Sequence, residues 1–235
     1  MSPTTIDVIR GLPTPSTWAI GTYATPDGVR DFRITHADLE RDTRWATTVL
    51  GSHGVGRGSH AVVISAGWEA PWFWPVARAV QRLGAVYSAC DIWPFDAHRT
   101  ELFLRRLPID AVIGINDAIA AELAEMGDIG SALAGLRLLA GRPDAIGRLR
   151  RAGLSPALIA PVGPALAFQR ADDSGAQVNA EEWQLRDVTG TPTLSTIADR
   201  GHRIVDEPQT LDHRLVLHPT DGSCEIRSSE GPAAR

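Results

Sequence analysis

Three groups of side chains in this sequence have types and spacings that could do chemistry. Asp91, Asp96 and His98 gather just after the run AVYSAC. An imidazole beside carboxylates makes an acid/base pair, and open α/β sheets place ligands at the carboxyl ends of their strands. The plainer role is capping, since Asp96 precedes AHRTELF and fits a helix N-cap. His202 lies in ADRGHRIVD with Asp199, Arg200, Arg203 and Asp206, a set able to hold an anion or an acyl carboxylate. Its plainer reading is a solvated turn with local ion pairs, which contribute little. Trp68, Trp72, Phe73, Trp74, Trp93 and Phe95 form an aromatic group, in which Trp68 and Trp72 stand at i, i+4 and share a face if helical. Such a group serves as a wall for an aryl or acyl ligand or as a hot spot for a partner, or simply as core. His98, His202 and Asp96 are therefore the catalytic candidates, and Trp68, Trp72, Trp93, Asp206 and Arg200 the ligand-binding ones.

Other chemistries find no support. Ser65, Ser88 and Ser195 lack the G-x-S-x-G elbow of a hydrolase. His213 and His218 are too isolated for a metal site. Cys90 and Cys224 belong to no C-x-x-C pair and read as structural thiols. All 23 basic residues are arginine, which rules out Schiff-base, P-loop and catalytic lysines within these 235 residues. A net charge of −5 argues against general nucleic-acid binding. The N-terminus does not read as a secretory signal, and no apolar run reaches bilayer length. The expectation is a soluble cytoplasmic protein without metal or other cofactor.

The elements that must position these residues follow from periodicity and punctuation. Residues 1–34 read as an extended N-terminal arm with a turn at Pro26-Asp27-Gly28 and a short strand at Val29–Ile34. Thr35 is an N-cap with Asp38 as its acidic partner, opening a helix from His36 to about Ser52. Then strands and helices alternate: HAVVIS, EAPWFWPVARAVQRLG, AVYSAC, DAHRTELFLRRLP, DAVIGI, NDAIAAELAEM, GLRLLAG and RPDAIGRLRRAG. This predicts an α/β fold, an open and mainly parallel sheet with flanking helices over residues 35–154. From Ser155 to Ser228 the chain is Pro- and Gly-punctuated with short runs and reads as a small β-rich portion. Thr220-Asp221-Gly222 marks a hairpin there, and residues 229–235 read as a frayed tail.

Gly54, Gly56 and Gly58 precede the strand HAVVIS and suggest a phosphate loop. Their order is wrong for one, because a dinucleotide fingerprint places glycines after a strand and before a helix. They read as a helix-to-strand turn. In that setting Thr35–Leu39, Leu50–Gly58, Ala61–Ile64 and Gly84–Tyr87 resemble the opening module of the adenylate-forming superfamily of acyl- and aryl-CoA ligases and peptide-synthetase adenylation domains. Ser59 stands where that family has an acidic residue, and LPIDAVIGINDAIAAEL is similar to its next strand and helix. Thr193–Ala198 and Arg200–Val205 resemble, more loosely, a late segment of the phenylacetate-CoA-ligase-like branch.

The resemblance implies an ancestry more than an activity. The family's phosphate loop with its lysine, its aromatic-Thr-Glu stretch and its small C-terminal domain have no counterpart here, and Asp206 is the only stand-in for the ribose-binding Asp. Adenylation depends on such groups to stabilise phosphoryl charge. The sequence therefore implies an internally deleted relative without ATP-dependent ligase activity, in a bacterial biosynthetic or catabolic pathway. It would bind an acyl or aryl ligand or a protein partner. The alternatives are an ATP-independent enzyme with a His acid/base, and a structural subunit in a homo- or hetero-oligomer with a ligase homologue.

Overall fold

The computed structural model of the chain describes residues 16–219 and 224–229. It begins with an antiparallel hairpin, β1 (Thr17–Thr25) and β2 (Gly28–Thr35), closed at Pro26-Asp27. The expected extended arm is thus, over its described part, a paired ribbon. Tyr23, Phe32 and Ile34 from it are buried against the helices that follow. Helix α1 (His36–Ser52) starts at a capping box: the Asp38 N–H donates to Thr35 Oγ1, and the Thr35 N–H donates to Asp38 Oδ2.

After α1 come β3 (His60–Ile64), α2 (Ala70–Arg82), β4 (Val86–Cys90), α3 (Ala97–Arg106), β5 (Ala111–Ile115), α4 (Asp117–Met126), α5 (Ile129–Leu133), β6 (Leu138–Gly141) and α6 (Pro143–Arg151). Strands β7 (Ala157–Val162) and β8 (Ala165–Phe168) complete a six-stranded sheet of order β4-β3-β5-β6-β7-β8. All its neighbours are parallel except the hairpin β7–β8. The change of composition at Ser155 therefore does not fall at a sheet boundary, because β7 pairs directly with β6. Every residue of β3 and β5 is buried, so the runs HAVVI and AVIGI show no alternation. Val63 and Ile113 face the cluster under α1 and α2, while Val62, Ile64 and Val112 face the one under α3 and α4.

Glycines end the elements as the sequence suggested. Gly84 follows α2 with φ +72°. Gly54 and Gly58 adopt φ +75° and +86° in the turn from α1 to the amino end of β3, where the Gly56 N–H donates to Ser59 Oγ.

The remainder is antiparallel: β9 (Trp183–Val188), β10 (Thr191–Thr196) and β11 (Glu207–Pro208) form one sheet, and β12 (Leu215–Pro219) pairs with β13 (Cys224–Ser228). Thr220-Asp221-Gly222, the predicted hairpin turn, lies outside the described residues, as does the tail from residue 230. A third apolar cluster, including Leu158, Val162, Trp183, Leu194 and Ile226, joins these strands to β7. Cys90 and Cys224 are free and buried.

Candidate functional site

Chain order and sheet order diverge at β3. The chain leaves β3 for β4 on one side and returns to β5 on the other, so the connections part between the carboxyl ends of β3 and β5. Open α/β sheets leave a ligand crevice at such a point. Here side chains fill it. The Arg142 guanidinium, just past β6, donates to the carbonyls of Gly114 on β5 (2.8 Å) and Ile64 on β3 (3.1 Å). It also forms a two-pronged ion pair with Glu69 and lies 4.7 Å over the Phe73 ring. Glu69 in turn accepts the Ala66 N–H at 2.8 Å. Gly114 makes this possible: its φ of +87° turns the strand, and a Cβ there would stand 2.6 Å from the Ile64 carbonyl oxygen.

Around this filled crevice stands an aromatic rim. Trp68 lies in a 3₁₀ turn, Gly67–Glu69, and meets Trp93 edge-to-face, with ring centroids 5.9 Å apart. Trp68 is 63% exposed, Trp93 44% and Phe95 69%. Asp96 and His98 belong to the same edge, at the start of α3. Asp96 occupies the N-cap position but makes no capping bond; its buried carboxylate accepts the Asp91 N–H and pairs with Arg99, closing the loop after β4. His98 is exposed on the first turn of α3.

The remaining predicted residues lie elsewhere. Trp72 does not share a wall with Trp68, because α2 begins only at Ala70. It is buried, packs on Phe32 at 5.1 Å and donates its indole N–H to the Gly163 carbonyl at 3.1 Å. The cleft it lines with Trp45 and Trp183 measures about 20 Å³, room for one water and not for an acyl group.

Arg200 overturns the reading of its loop as a solvated turn, since it is buried. Its guanidinium donates twice to Asp42 (2.8 and 2.7 Å) and once to Glu182 (2.9 Å), and lies 4.6 Å over Trp183. Arg41 bridges Asp38 and Glu182 beside it. Burial raises the cost of ionising Asp38, but hydrogen bonds from Thr35 and the charge of Arg200 hold its carboxyl below the usual range. Asp206 sits in an exposed turn with φ +47°, exchanging hydrogen bonds with Ser195.

His202 meets residues that no sequence signal marked. The Tyr23 hydroxyl donates to Glu207 Oε1 at 2.5 Å and lies 3.2 Å from His202 Nε2. A phenol has one proton, so Nε2 must carry its own and donate to the phenol oxygen. Burial, aided by Glu207, pushes the Tyr23 phenol well above its ordinary value. Burial first, then Arg30, Arg200 and Arg33, pushes His202 below its ordinary value against the pull of Glu207. This group ties the N-terminal hairpin to the β10–β11 segment. It shares no residue with the edge that carries His98, so the structure brings together Trp68, Trp93, Asp96 and His98 and leaves Trp72, Arg200, His202 and Asp206 apart. Glu69 and Arg142 had a signal, since each follows a predicted strand; Tyr23 and Glu207 had none.

No protein-family model matches the sequence, and no curated protein matches it. Solved structures do match. A 2-hydroxyisobutyryl-CoA ligase, in an open conformation with 2-HIB-AMP and CoA, aligns over 92% of this chain and 53% of its own, with TM-score 0.65 and 14% identity. The chain has an acyl-CoA ligase fold. A malonyl-CoA ligase in a ternary product complex aligns over 88% of this chain and 52% of its own (TM-score 0.57, 14% identity). MenE from E. coli aligns over 88% and 47% (TM-score 0.52, 12% identity). This ligase-like chain thus spans about half the length of the ligases it matches. Among its described residues no helix is long and apolar enough to cross a membrane.

Proposed function

We propose that this ligase-like chain does not adenylate and that its aromatic rim docks a second copy of the chain. The observation that carries the reading is the exposure of Trp68, Trp93 and Phe95 around a crevice that Arg142 and Glu69 fill. A filled crevice offers a small acyl ligand no depth, whereas a face-on partner needs none. From the usual areas of these rings, their exposed parts supply roughly 400 Å², half of the about 800 Å² each partner commonly buries. The adjoining α3 presents both signs of charge, Arg99 and Arg105 beside Glu101, which lets one face complement itself under a two-fold axis. The first half of the proposal rests on chemistry: adenylation needs cationic stabilisation of the transferring phosphoryl group, and these residues contain no lysine and no counterpart of the phosphate loop.

Light scattering coupled to size exclusion tests the docking. Wild type should elute at twice the chain mass and the W68A/W93A variant at the single mass. A wild-type monomer at the highest soluble concentration refutes this part. Calorimetric titration with ATP and Mg²⁺ should show no heat of binding; saturable micromolar binding refutes the other.

A further inference from the structure

Two grooves meet at Arg170. One, of about 500 Å³, runs between α1 and the segment 177–182. Arg41, Arg44, Trp45 and Thr48 form its helical wall, standing at i, i+3, i+4 and i+7 on one stripe. The other, of about 600 Å³, opens at the amino edge of the sheet, between His53, Arg150 and the loop that enters β7. Both volumes fall in the range of small-ligand sites.

The charges in these grooves are unevenly paired, with the exposed Glu181 the one other carboxylate besides Glu182 in the lining of the first. Arg41 is engaged by Asp38 and Glu182. Arg44 and Arg170 are exposed, and among the described residues their guanidinium groups meet no carboxylate and no hydrogen-bond acceptor. The second groove contains Arg150 and Arg170 and no Asp or Glu in its lining. The carboxyl end of α6 opens there with a partial negative charge, equivalent to about half an elementary charge, which the Arg170 guanidinium alone outweighs. Arginine is suited to such a place because its planar fork binds carboxylate and phosphate oxygens two at a time.

We propose that Arg170 anchors a site for a small ligand with two oxyanion groups, a dicarboxylate or a diphosphate. One group would lie between Arg44 and Arg170, the other between Arg170 and Arg150. The site is remote from the aromatic rim and independent of the docking proposed above.

Calorimetric titration of the full chain at low ionic strength, with succinate and separately with pyrophosphate, tests it. At least one should bind saturably, and R170A and R44A should each weaken binding about tenfold, or about 1.4 kcal/mol. Added salt should weaken it further. Succinate alone would identify a dicarboxylate site, pyrophosphate alone a diphosphate site, and both the shared chemistry. The R186A variant, at an exposed arginine of β9 outside both grooves, and the W68A/W93A variant should bind as wild type does. Absence of saturable binding of either probe up to about 1 mM, or equal weakening in R186A, would overturn the proposal. Circular dichroism of R44A and R170A, both surface substitutions, confirms that a loss is not unfolding.

Discussion

Replacing Arg200 by alanine should be among the most damaging single changes outside the apolar core. The side chain is 3% exposed and makes three charge-assisted hydrogen bonds, two to Asp42 and one to Glu182. At about 1.5–3 kcal/mol each, these would sum to more than is lost, because Arg41 continues to hold Asp38 and Glu182. Among the described residues, Asp42 alone keeps no cation. Removing one partner of a buried pair costs about 3–5 kcal/mol, and the contact over Trp183 adds up to about 1 kcal/mol. The expected loss is about 4 kcal/mol, or about 8–16 °C in melting temperature for a chain of this size.

Urea denaturation followed by circular dichroism measures the effect, and its pH dependence tests the cause. Burial holds the Asp42 carboxyl above the usual carboxylate range even with Arg200 in place, because the guanidinium offsets only part of the desolvation; without Arg200 it rises further. The added destabilisation is full above that further-raised pKa and disappears as pH falls through the wild-type folded one. The deficit at pH 7 should therefore shrink toward pH 4. The double variant R200M/D42L, which removes the stranded charge, should recover more than half of what R200M loses. An R200A deficit under about 1 kcal/mol, or one that is flat with pH, would refute the reasoning.

Two further outcomes follow from single positions. His202 binds its proton less readily folded than unfolded, so its neutral form contributes stability that is full above 6.5 and lost as pH falls through the lowered folded value. H202Q should flatten that part of the urea-midpoint profile, and an unchanged slope below pH 6.5 would contradict the assigned environment. G114A places a Cβ 2.6 Å from the Ile64 carbonyl oxygen and 2.9 Å from the Phe73 ring at a positive φ. It should cost about 3 kcal/mol by thermal denaturation, the sum of backbone strain and a weakened Arg142 stitch; a loss under about 1 kcal/mol would contradict the geometry.

The local signals in the sequence proved to be the durable ones. Thr35 with Asp38 caps α1, Gly84 ends α2, and the runs HAVVI and AVIGI are central strands, because each depends on neighbours a few residues away. The boundary read at Ser155 reflected a change from parallel to antiparallel connection, which alters composition without ending a sheet. Helical spacing pairs Trp68 with Trp72, yet Trp68 lies in a 3₁₀ turn held by the Glu69 bond to the Ala66 N–H and α2 begins only at Ala70, a detail that spacing does not carry. Arg200 looked solvated because its neighbours in sequence are polar. Its partners Asp42 and Glu182 stand 158 and 18 residues away, and no local pattern reports them.

That separation matters as the chain leaves the ribosome. Asp38 and Asp42 emerge early on α1, and the guanidinium that neutralises Asp42 follows 158 residues later. At about 5–20 residues per second, the interval is about 8–30 s. Tyr23 waits longer still, 184 residues, for Glu207. During that interval the N-terminal hairpin and one side of α1 lack their covering, and Asp42 waits for its cation while Arg41 already pairs with Asp38. The late-synthesised β10–β11 segment therefore latches the first elements, and any pause in translation before residue 200 prolongs the half-made state that a chaperone would have to shield.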